Sequence, residues 1–397
     1  MSILISKSTK VIVQGFTGKE ATFHSQKCIE YGTLIVGGVT PFKGGITHLG
    51  LPVFNTVKEA VEKTNASVSL IFVPAMFVAN AIIEAANAGI KLCIVITEHA
   101  PLNDIIKAKN FANKCGTQII GPNSPGIISA DECKLGIMPG DIFKKSNLNI
   151  GLISKSGTLT YEGAKQILDE GYGISTAIGI GGDRVIGLGF SELLEMFEKD
   201  DDTKAIVLIG EIGGILEIEA AKTIKDKISK PVVAFIAGAT APKGKRMGHA
   251  GAIVSDYNST AKGKMQSLEK VGVHVVQSPA HIGRKLKEVL GYKGKNMENL
   301  KAVWVDESRC KACNICVSYC PSGTLAMRYE PKAIQGMMIE VLNDKTCIGC
   351  RDCETHCPDF AIFVADKGFK FAKLTPEAKA LSQAIKENNF MKIKDEL

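Results

Sequence analysis

Eight cysteines crowd between positions 310 and 357, and they repeat one spacing twice. The first run is Cys310-x2-Cys313-x2-Cys316-x3-Cys320-Pro321, and it recurs as Cys347-x2-Cys350-x2-Cys353-x3-Cys357-Pro358. A short stretch with that many thiols cannot be a conventional core; its backbone has to curl around inorganic centres. This is the thiolate spacing that wraps two cubane iron-sulfur clusters, each close trio bending around one cluster while the fourth thiolate reaches the other. Cys310, Cys313, Cys316 and Cys357 are therefore expected to hold one 4Fe-4S cluster, and Cys347, Cys350, Cys353 and Cys320 the second. Thiolate pairs at such spacing also suit tetrahedral zinc. Four cysteines per run, each run closing on Pro, weigh against that alternative. The remaining cysteines, Cys28, Cys93, Cys115 and Cys133, stand alone and read as free thiols packed as small hydrophobes.

Upstream the chain follows a different rule. The β-branched run Val11-Ile12-Val13-Gln14 enters the turn Gly15-Phe16-Thr17-Gly18 and continues as a helix from Glu20. Further strands are predicted at Thr33–Val39, Val53, Ser67–Val73, Cys93–Thr97 and Gln118–Ile120, with helices near Val57–Lys63, Val78–Ala88 and Asp104–Asn113. The pattern restarts at Asn149–Ile153, again entering a Ser/Gly loop, and runs on through Ala205–Ile209, Val232–Ile236 and His274–Val276. Strands alternating with helices predict parallel, doubly wound α/β sheets. A Rossmann-like domain over 1–130, a flavodoxin-like α/β domain over 131–290, a linker at 291–302, a small α+β cluster domain over 303–372 and a helical tail over 373–397 follow. Asp141–Asn147 reads as the connector between the first two. Ala380, Leu381, Ala384 and Ile385 recur at helical spacing in the tail.

Composition narrows the function classes. Of 397 residues, 45% are hydrophobic and 22% charged, as in a soluble globular protein rather than a disordered one. The longest apolar stretch, Val68–Ile83, is broken by Pro74 and Asn80, so no membrane span is expected. The opening residues lack the regions of a secretory signal, which predicts a cytoplasmic protein with reduced thiols. The closing Lys394-Asp395-Glu396-Leu397 spells a retention signal, and we read it as coincidence because it acts only after entry into the secretory route. The net charge of +7 is scattered among acids, with one Trp, so nucleic-acid binding is not expected.

A second chemical signal is Ala241-Pro242-Lys243-Gly244-Lys245-Arg246-Met247-Gly248-His249-Ala250-Gly251. Small neighbours around His249 admit a phosphoryl group, and the cations neutralise it. Imidazole has an ordinary pKa near 6.5, which leaves one ring nitrogen free to attack while the other donates to an orienting group. Glu211, after an apolar strand, is the candidate orienter. A surface histidine beside solvated lysines is the ordinary alternative.

The blocks TKVIVQGFTGKEATFH, VGGVTPFKGGITHLGLPVFNTVKEAV, IGPNSPG, SKSGTLTYE, GIGGD, IGEIGG and TAPKGKRMGHAGAI together resemble the alpha subunit of succinyl-CoA synthetase over Ser2–Leu290. Residues Lys301–Lys370 resemble bacterial-type ferredoxins with two 4Fe-4S clusters, close to the small iron-sulfur subunit of 2-oxoacid:ferredoxin oxidoreductases. The first resemblance implies coenzyme A at Thr17, Gly18, Lys19, Glu20, Lys43 and the Ile96-Thr97-Glu98 edge. It also implies the acid substrate at Tyr161, a phosphorylated His249 and Glu211 as its partner. Ser156 and Gly157 open a helix, so their N–H groups suit a carboxylate or phosphate. A beta subunit carrying the nucleotide and Mg2+ is implied too, since no Walker-type loop is present.

Three positions depart from the family pattern: Ala21 stands where Gly is usual, Ser124 where Cys is usual at a site expected to open a helix, and Arg184-Val185-Ile186 where a Pro-containing run is usual. They leave citrate or malate open as the acid. The resemblances together imply a succinate-CoA ligase subunit with a fused electron relay that works beside a 2-oxoglutarate:ferredoxin oxidoreductase. The competing reading is an electron-transfer subunit whose ligase half is an inactive scaffold.

Overall fold

A computed structural model describes residues 3–242, 244, 247–291, 301–333, 335–359, 361–365 and 370–393. The chain forms two compact units, Met1–Gly294 and Lys295–Leu397. Most of the expected 291–302 linker, the cationic residues Lys243, Lys245 and Arg246, and Lys394–Leu397 lie outside the described residues.

The first unit contains two seven-stranded sheets. In the first, strands β1 (Val11–Gln14), β2 (Ile35–Val39), β3 (Thr47–His48), β4 (Leu51–Phe54), β5 (Val68–Ile71), β6 (Leu92–Val95) and β7 (Gln118–Ile120) take the order β3-β4-β2-β1-β5-β6-β7. Helices α1 (Lys19–Tyr31), α2 (Val57–Thr64), α3 (Val78–Asn87) and α4 (Leu102–Lys114) make the crossovers. β1, β5 and β6 are buried throughout, the pattern of parallel strands covered on both faces. The chain leaves β1 toward β2 on one side and returns to β5 on the other. That places the topological switch point, where open α/β sheets bind ligands, at the carboxyl end of β1.

The second sheet contains β8 (Gly126–Ser129), β9 (Cys133–Gly136), β10 (Asn149–Ser154), β11 (Gly173–Gly179), β12 (Thr203–Glu211), β13 (Val232–Ala237) and β14 (His274–Val276), ordered β14-β13-β12-β10-β11-β8-β9. Its helices are α5 (Gly157–Asp169), α6 (Phe190–Glu198), α7 (Leu216–Lys227), α8 (Ala261–Glu269) and α9 (Ile282–Leu290).

The sheets are of the expected doubly wound α/β kind and mostly parallel, with β3 antiparallel to β4 and the β8–β9 hairpin antiparallel against β11. Asp141–Asn147 connects β9 to β10 inside one sheet instead of joining two domains, and the expected 130/131 boundary falls in the turn of the β8–β9 hairpin. The short runs Ile127-Ile128 and Lys134-Leu135 carry too little periodicity to announce strands. The two sheets share one hydrophobic cluster, in which Val13, Leu70 and Ile94 of the first meet Ile127, Leu135 and Ile153 of the second. Each such side chain contributes about 1.5–3 kcal/mol on burial.

The second unit has two antiparallel pairs: β15 (Val303–Val305) with β18 (Ile362–Val364), and β16 (Leu325–Tyr329) with β17 (Met337–Val341). Short helices α10 (Ile315–Tyr319) and α11 (Asp352–Thr355) precede the fourth cysteine of each run. The tail helix is α12 (Pro376–Glu387), capped by the Thr375 hydroxyl on the Ala378 N–H. It packs on its own unit through Ile385, which is 1% exposed. Gly323, at φ +64°, admits the helix: a Cβ there would meet Leu381 at 2.9 Å. Among the described residues, no helix is long and apolar enough to cross a membrane.

Candidate functional site

The first site residues lie along the carboxyl ends of the first sheet. Gly15, at φ +81°, turns the chain out of β1 so closely under β5 that a Cβ would stand 3.2 Å from the Phe72 carbonyl carbon. Gly18 caps α1, its N–H bonded to the Gly15 carbonyl at 2.9 Å. Thr17 lies between two partners: its hydroxyl sits 3.3 Å from Thr40 Oγ1 and accepts from Lys43 Nζ at 3.2 Å. Lys19 and Glu20 open α1 and are exposed. Ile96, Thr97 and Glu98 follow β6 along the same edge, where the Thr97 hydroxyl donates to the Val73 carbonyl at 2.6 Å. Gly38 sets the width of this edge, because a Cβ on it would fall 2.1 Å from the Phe16 ring. Exposed N–H groups at the start of α1 with the Lys43 ammonium beside them make a site suited to phosphate charge.

The second site is built on the other sheet. Glu211 ends β12, and His249 Nδ1 stands 2.7 Å from its Oε2. Lys155, ending the turn after β10 and 4% exposed at its side chain, places its ammonium 3.4 Å from Glu211 Oε1. The hydrogen bond to Glu211 raises the His249 pKa above its ordinary value, against the opposing effect of burial. A carboxylate on Nδ1 fixes the tautomer with the proton there, leaving Nε2 unprotonated and nucleophilic. Gly182 backs the imidazole so tightly that a Cβ would lie 2.4 Å from His249 Cγ.

Ser156 caps α5 through its hydroxyl on the Leu159 N–H at 3.4 Å, and Gly157 is the first residue of that helix. Tyr161 lies one turn on, its hydroxyl 4.0 Å from where a Gly157 Cβ would be; burial raises its pKa. Ser124 is found before strand β8 rather than at a helix start. Its hydroxyl donates to the Gly179 carbonyl at 2.5 Å and accepts from the Gly126 N–H, which pins the hairpin to β11.

Sequence reasoning overlooked the support behind Glu211. Lys264 of α8 and Glu217 of α7 form an ion pair with both side chains fully buried. Glu217 Oε1 accepts from the Glu211 N–H at 3.1 Å, while Lys264 Nζ donates to the carbonyls of Glu211 at 2.8 Å and Gly213 at 2.6 Å. Gly213 in turn abuts the histidine loop, since a Cβ there would stand 1.9 Å from the Gly251 carbonyl oxygen. A lysine in AKGKMQSLE reads as a solvated helical charge, so nothing in the sequence flagged it.

In the second unit the eight run cysteines sort into two cavities. One is lined by Cys320, Cys347, Cys350 and Cys353; the other by Cys310, Cys313, Cys316 and Cys357. The fourth cysteine of each run thus lines the cavity of the other run's trio. Burial, joined by Cys313, Cys310 and Cys357, pushes the Cys316 thiol up to about 12, and burial with Cys320, Cys350, Cys316 and Cys347 raises Cys353. Buried thiols that resist ionisation, as those of Cys316 and Cys353 do, suit a cationic iron core that withdraws their charge. Four cysteines line each cavity, which fits the four thiolate ligands of a cubane cluster.

A CoA-binding fold coupled to a histidine–carboxylate site, and followed by a two-cluster cysteine unit, defines a CoA ligase subunit with an iron-sulfur extension. The segment matches agree: residues 6–99 match the CoA binding domain, 153–274 the CoA-ligase family and 309–361 the 4Fe-4S dicluster domain. The chain is 55% identical over 292 residues to the succinate-CoA ligase [ADP-forming] subunit alpha of Aquifex aeolicus, spanning 73% of this chain and 95% of that one. It is 54% identical over 288 residues to the Staphylococcus aureus subunit of the same name, spanning 72% and 95%. The chain belongs to the succinate-CoA ligase alpha-subunit family and carries a fused ferredoxin-type 4Fe-4S domain.

Solved structures agree on the fold. An ATP citrate lyase from Methanosaeta concilii superposes with a TM-score of 0.67 at 24% identity, over 75% of this chain and 53% of that one. A dinucleotide-forming acetyl-coenzyme A synthetase from Ca. Korarchaeum cryptofilum gives 0.54 at 22%, over 68% and 58%.

Proposed function

We propose that this chain, with a beta subunit, interconverts succinyl-CoA, phosphate and ADP with succinate, CoA and ATP through a phosphorylated His249. The observation that carries the reading is the 2.7 Å contact between His249 Nδ1 and Glu211. Phosphate oxygen attacks the thioester carbonyl, the C–S bond breaks and CoA leaves, giving succinyl phosphate. His249 Nε2 then attacks phosphorus and the P–O bond to succinate breaks. As positive charge grows on the ring, the Nδ1–H bond to Glu211 strengthens and stabilises it, and the covalent phosphohistidine splits one hard transfer into two easier ones. Finally the phosphoryl group passes to ADP, held with Mg2+ on the beta subunit.

Thr17, Gly18, Lys19, Glu20, Lys43 and the Ile96–Glu98 edge hold CoA in this reading, while Ser156, Gly157 and Tyr161 face the acid. ADP is favoured over GDP because the named relatives are ADP-forming.

In the second unit, Cys310, Cys313, Cys316 and Cys357 would hold one cluster, and Cys347, Cys350, Cys353 and Cys320 the other. Bound clusters supply one-electron transfer. The partner we propose is a 2-oxoacid:ferredoxin oxidoreductase, whose chemistry would produce the succinyl-CoA that the ligase half consumes. Consistent absence of oxidoreductase subunits from the protein purified at low salt would remove that part.

The ligase test is incubation with a beta subunit, Mg2+ and labelled ATP. Acid-labile phosphate is expected on the native chain and none on His249→Asn. An unlabelled native chain would favour the inactive-scaffold reading.

A further inference from the structure

We propose that a buried hydroxyl chain makes the two clusters unequal, placing the one held by Cys347, Cys350, Cys353 and Cys320 at the higher reduction potential. The chain begins at a ligand sulfur. Ser322 Oγ lies 3.7 Å from Cys320 Sγ and 2.8 Å from Thr324 Oγ1, which lies 3.0 Å from Thr346 Oγ1. Thr346 donates to the Asn343 carbonyl at 2.7 Å. Ser322 and Thr324 are each 1% exposed and line the same cavity as the four cysteines, while Asn343 is at the surface.

The other run has no hydroxyl counterpart. Where the first reads Cys320-Pro321-Ser322-Gly323-Thr324, the second reads Cys357-Pro358-Asp359-Phe360-Ala361. Asp359 is engaged by Lys311, and Cys357 Sγ accepts only the Ala361 backbone N–H at 3.2 Å among the side-chain and backbone donors described.

Counting protons shows what the chain does. Each hydroxyl owns one proton, and a carbonyl can only accept. With Thr346 donating to Asn343, Thr324 donates to Thr346, Ser322 to Thr324, and the Cys320 thiol to Ser322. A thiolate bound to iron has no proton to give, so cluster binding reverses the direction. Ser322 then donates to Cys320, Thr324 to Ser322 and Thr346 to Thr324, and the Asn343 carbonyl keeps the Thr346 backbone N–H at 3.2 Å as its donor. Reduction adds one electron and makes the sulfur a stronger acceptor. The reversed chain therefore stabilises the reduced state more than the oxidised one, and hydrogen bonds to sulfur are among the factors that set cluster potentials. An electron arriving at the cluster of Cys310, Cys313, Cys316 and Cys357 would run downhill to the other.

The test is an anaerobic redox titration of the full chain followed by electron paramagnetic resonance, with iron and sulfide assayed on each sample. The native chain should titrate in two steps. Ser322→Ala should lower one potential and leave the other, by about a tenfold change in the reduction equilibrium, or 59 mV for one electron. Ser322→Thr, which restores a hydroxyl, should return the native value. If Ser322→Ala loses iron, Thr346→Val decides: it breaks the chain at the surface end and should lower the same potential by a smaller amount. Unchanged potentials, or equal movement of both, would overturn the proposal. A native chain with far fewer than about eight irons would instead sink the cluster reading beneath it.

Discussion

Lys264→Met removes one half of an ion pair in which both side chains are completely buried, and its effect can be worked out before it is measured. The ammonium engages Glu217 and the carbonyls of Glu211 and Gly213, so the variant strands a buried carboxylate and two buried acceptors. Breaking a buried pair from one side costs about 3–5 kcal/mol, whereas replacing both partners with apolar residues of similar volume is often neutral. At about 2–4 °C per kcal/mol for a large unit, Lys264→Met should lower the melting temperature of the ligase unit by roughly 6–20 °C. The double variant Lys264→Met/Glu217→Leu should recover most of that loss. It leaves the Glu211 N–H without its acceptor, so His249 phosphorylation should stay reduced although the fold is restored. Calorimetry reads the first effect and acid-labile phosphate the second, with the iron content of the other unit as an internal control. A Lys264→Met chain that melts with the native one would refute the energetic argument. A double variant phosphorylated at the native rate would refute the positioning argument.

The hydrogen bond to Glu211 raises the His249 pKa above 6.5, so its stabilising contribution is full below the unfolded value and is lost as pH rises through the folded one. Nucleophilic attack needs the neutral ring. The phosphorylation rate should therefore fall on acidification through a pKa above 6.5, and Glu211→Gln should move that limb to lower pH. Gly182→Ala drives a methyl into the imidazole and should cut phosphorylation at least tenfold with little change in melting, as measured on the purified complex. Deleting residues 373–397 removes the Ser382 hydroxyl bond to the Cys320 carbonyl at 2.7 Å and the cover given by α12. Chelation should then turn biphasic, with about half the iron leaving faster; uniform loss would count against a local role for the tail.

Much of the fold was legible because parallel strands covered on both faces read as unbroken apolar runs, as Val11–Val13 and Ala205–Ile209 do. The β8–β9 hairpin escaped because its strands are short and its pairing with β11 is long-range, which no local pattern encodes. Cysteine spacing carried the expectation of crosswise ligand sets, since ligand geometry dictates the spacing itself. His249 and Glu211 are far apart in sequence, and only the end of β12 brings them together. Lys264 was out of reach: burial, not residue type, makes it a support rather than a surface charge.

The crossing of Cys320 and Cys357 bears on assembly. Each cavity borrows one wall from the opposite run, so neither can be completed by a local stretch of chain. A half-loaded protein would leave all four ligands of the other centre free, three on one run and the fourth on a run already fixed around the filled centre. Occupancy of one centre thus preorganises the other, and loading with limiting iron should yield empty and fully occupied molecules in preference to singly occupied ones.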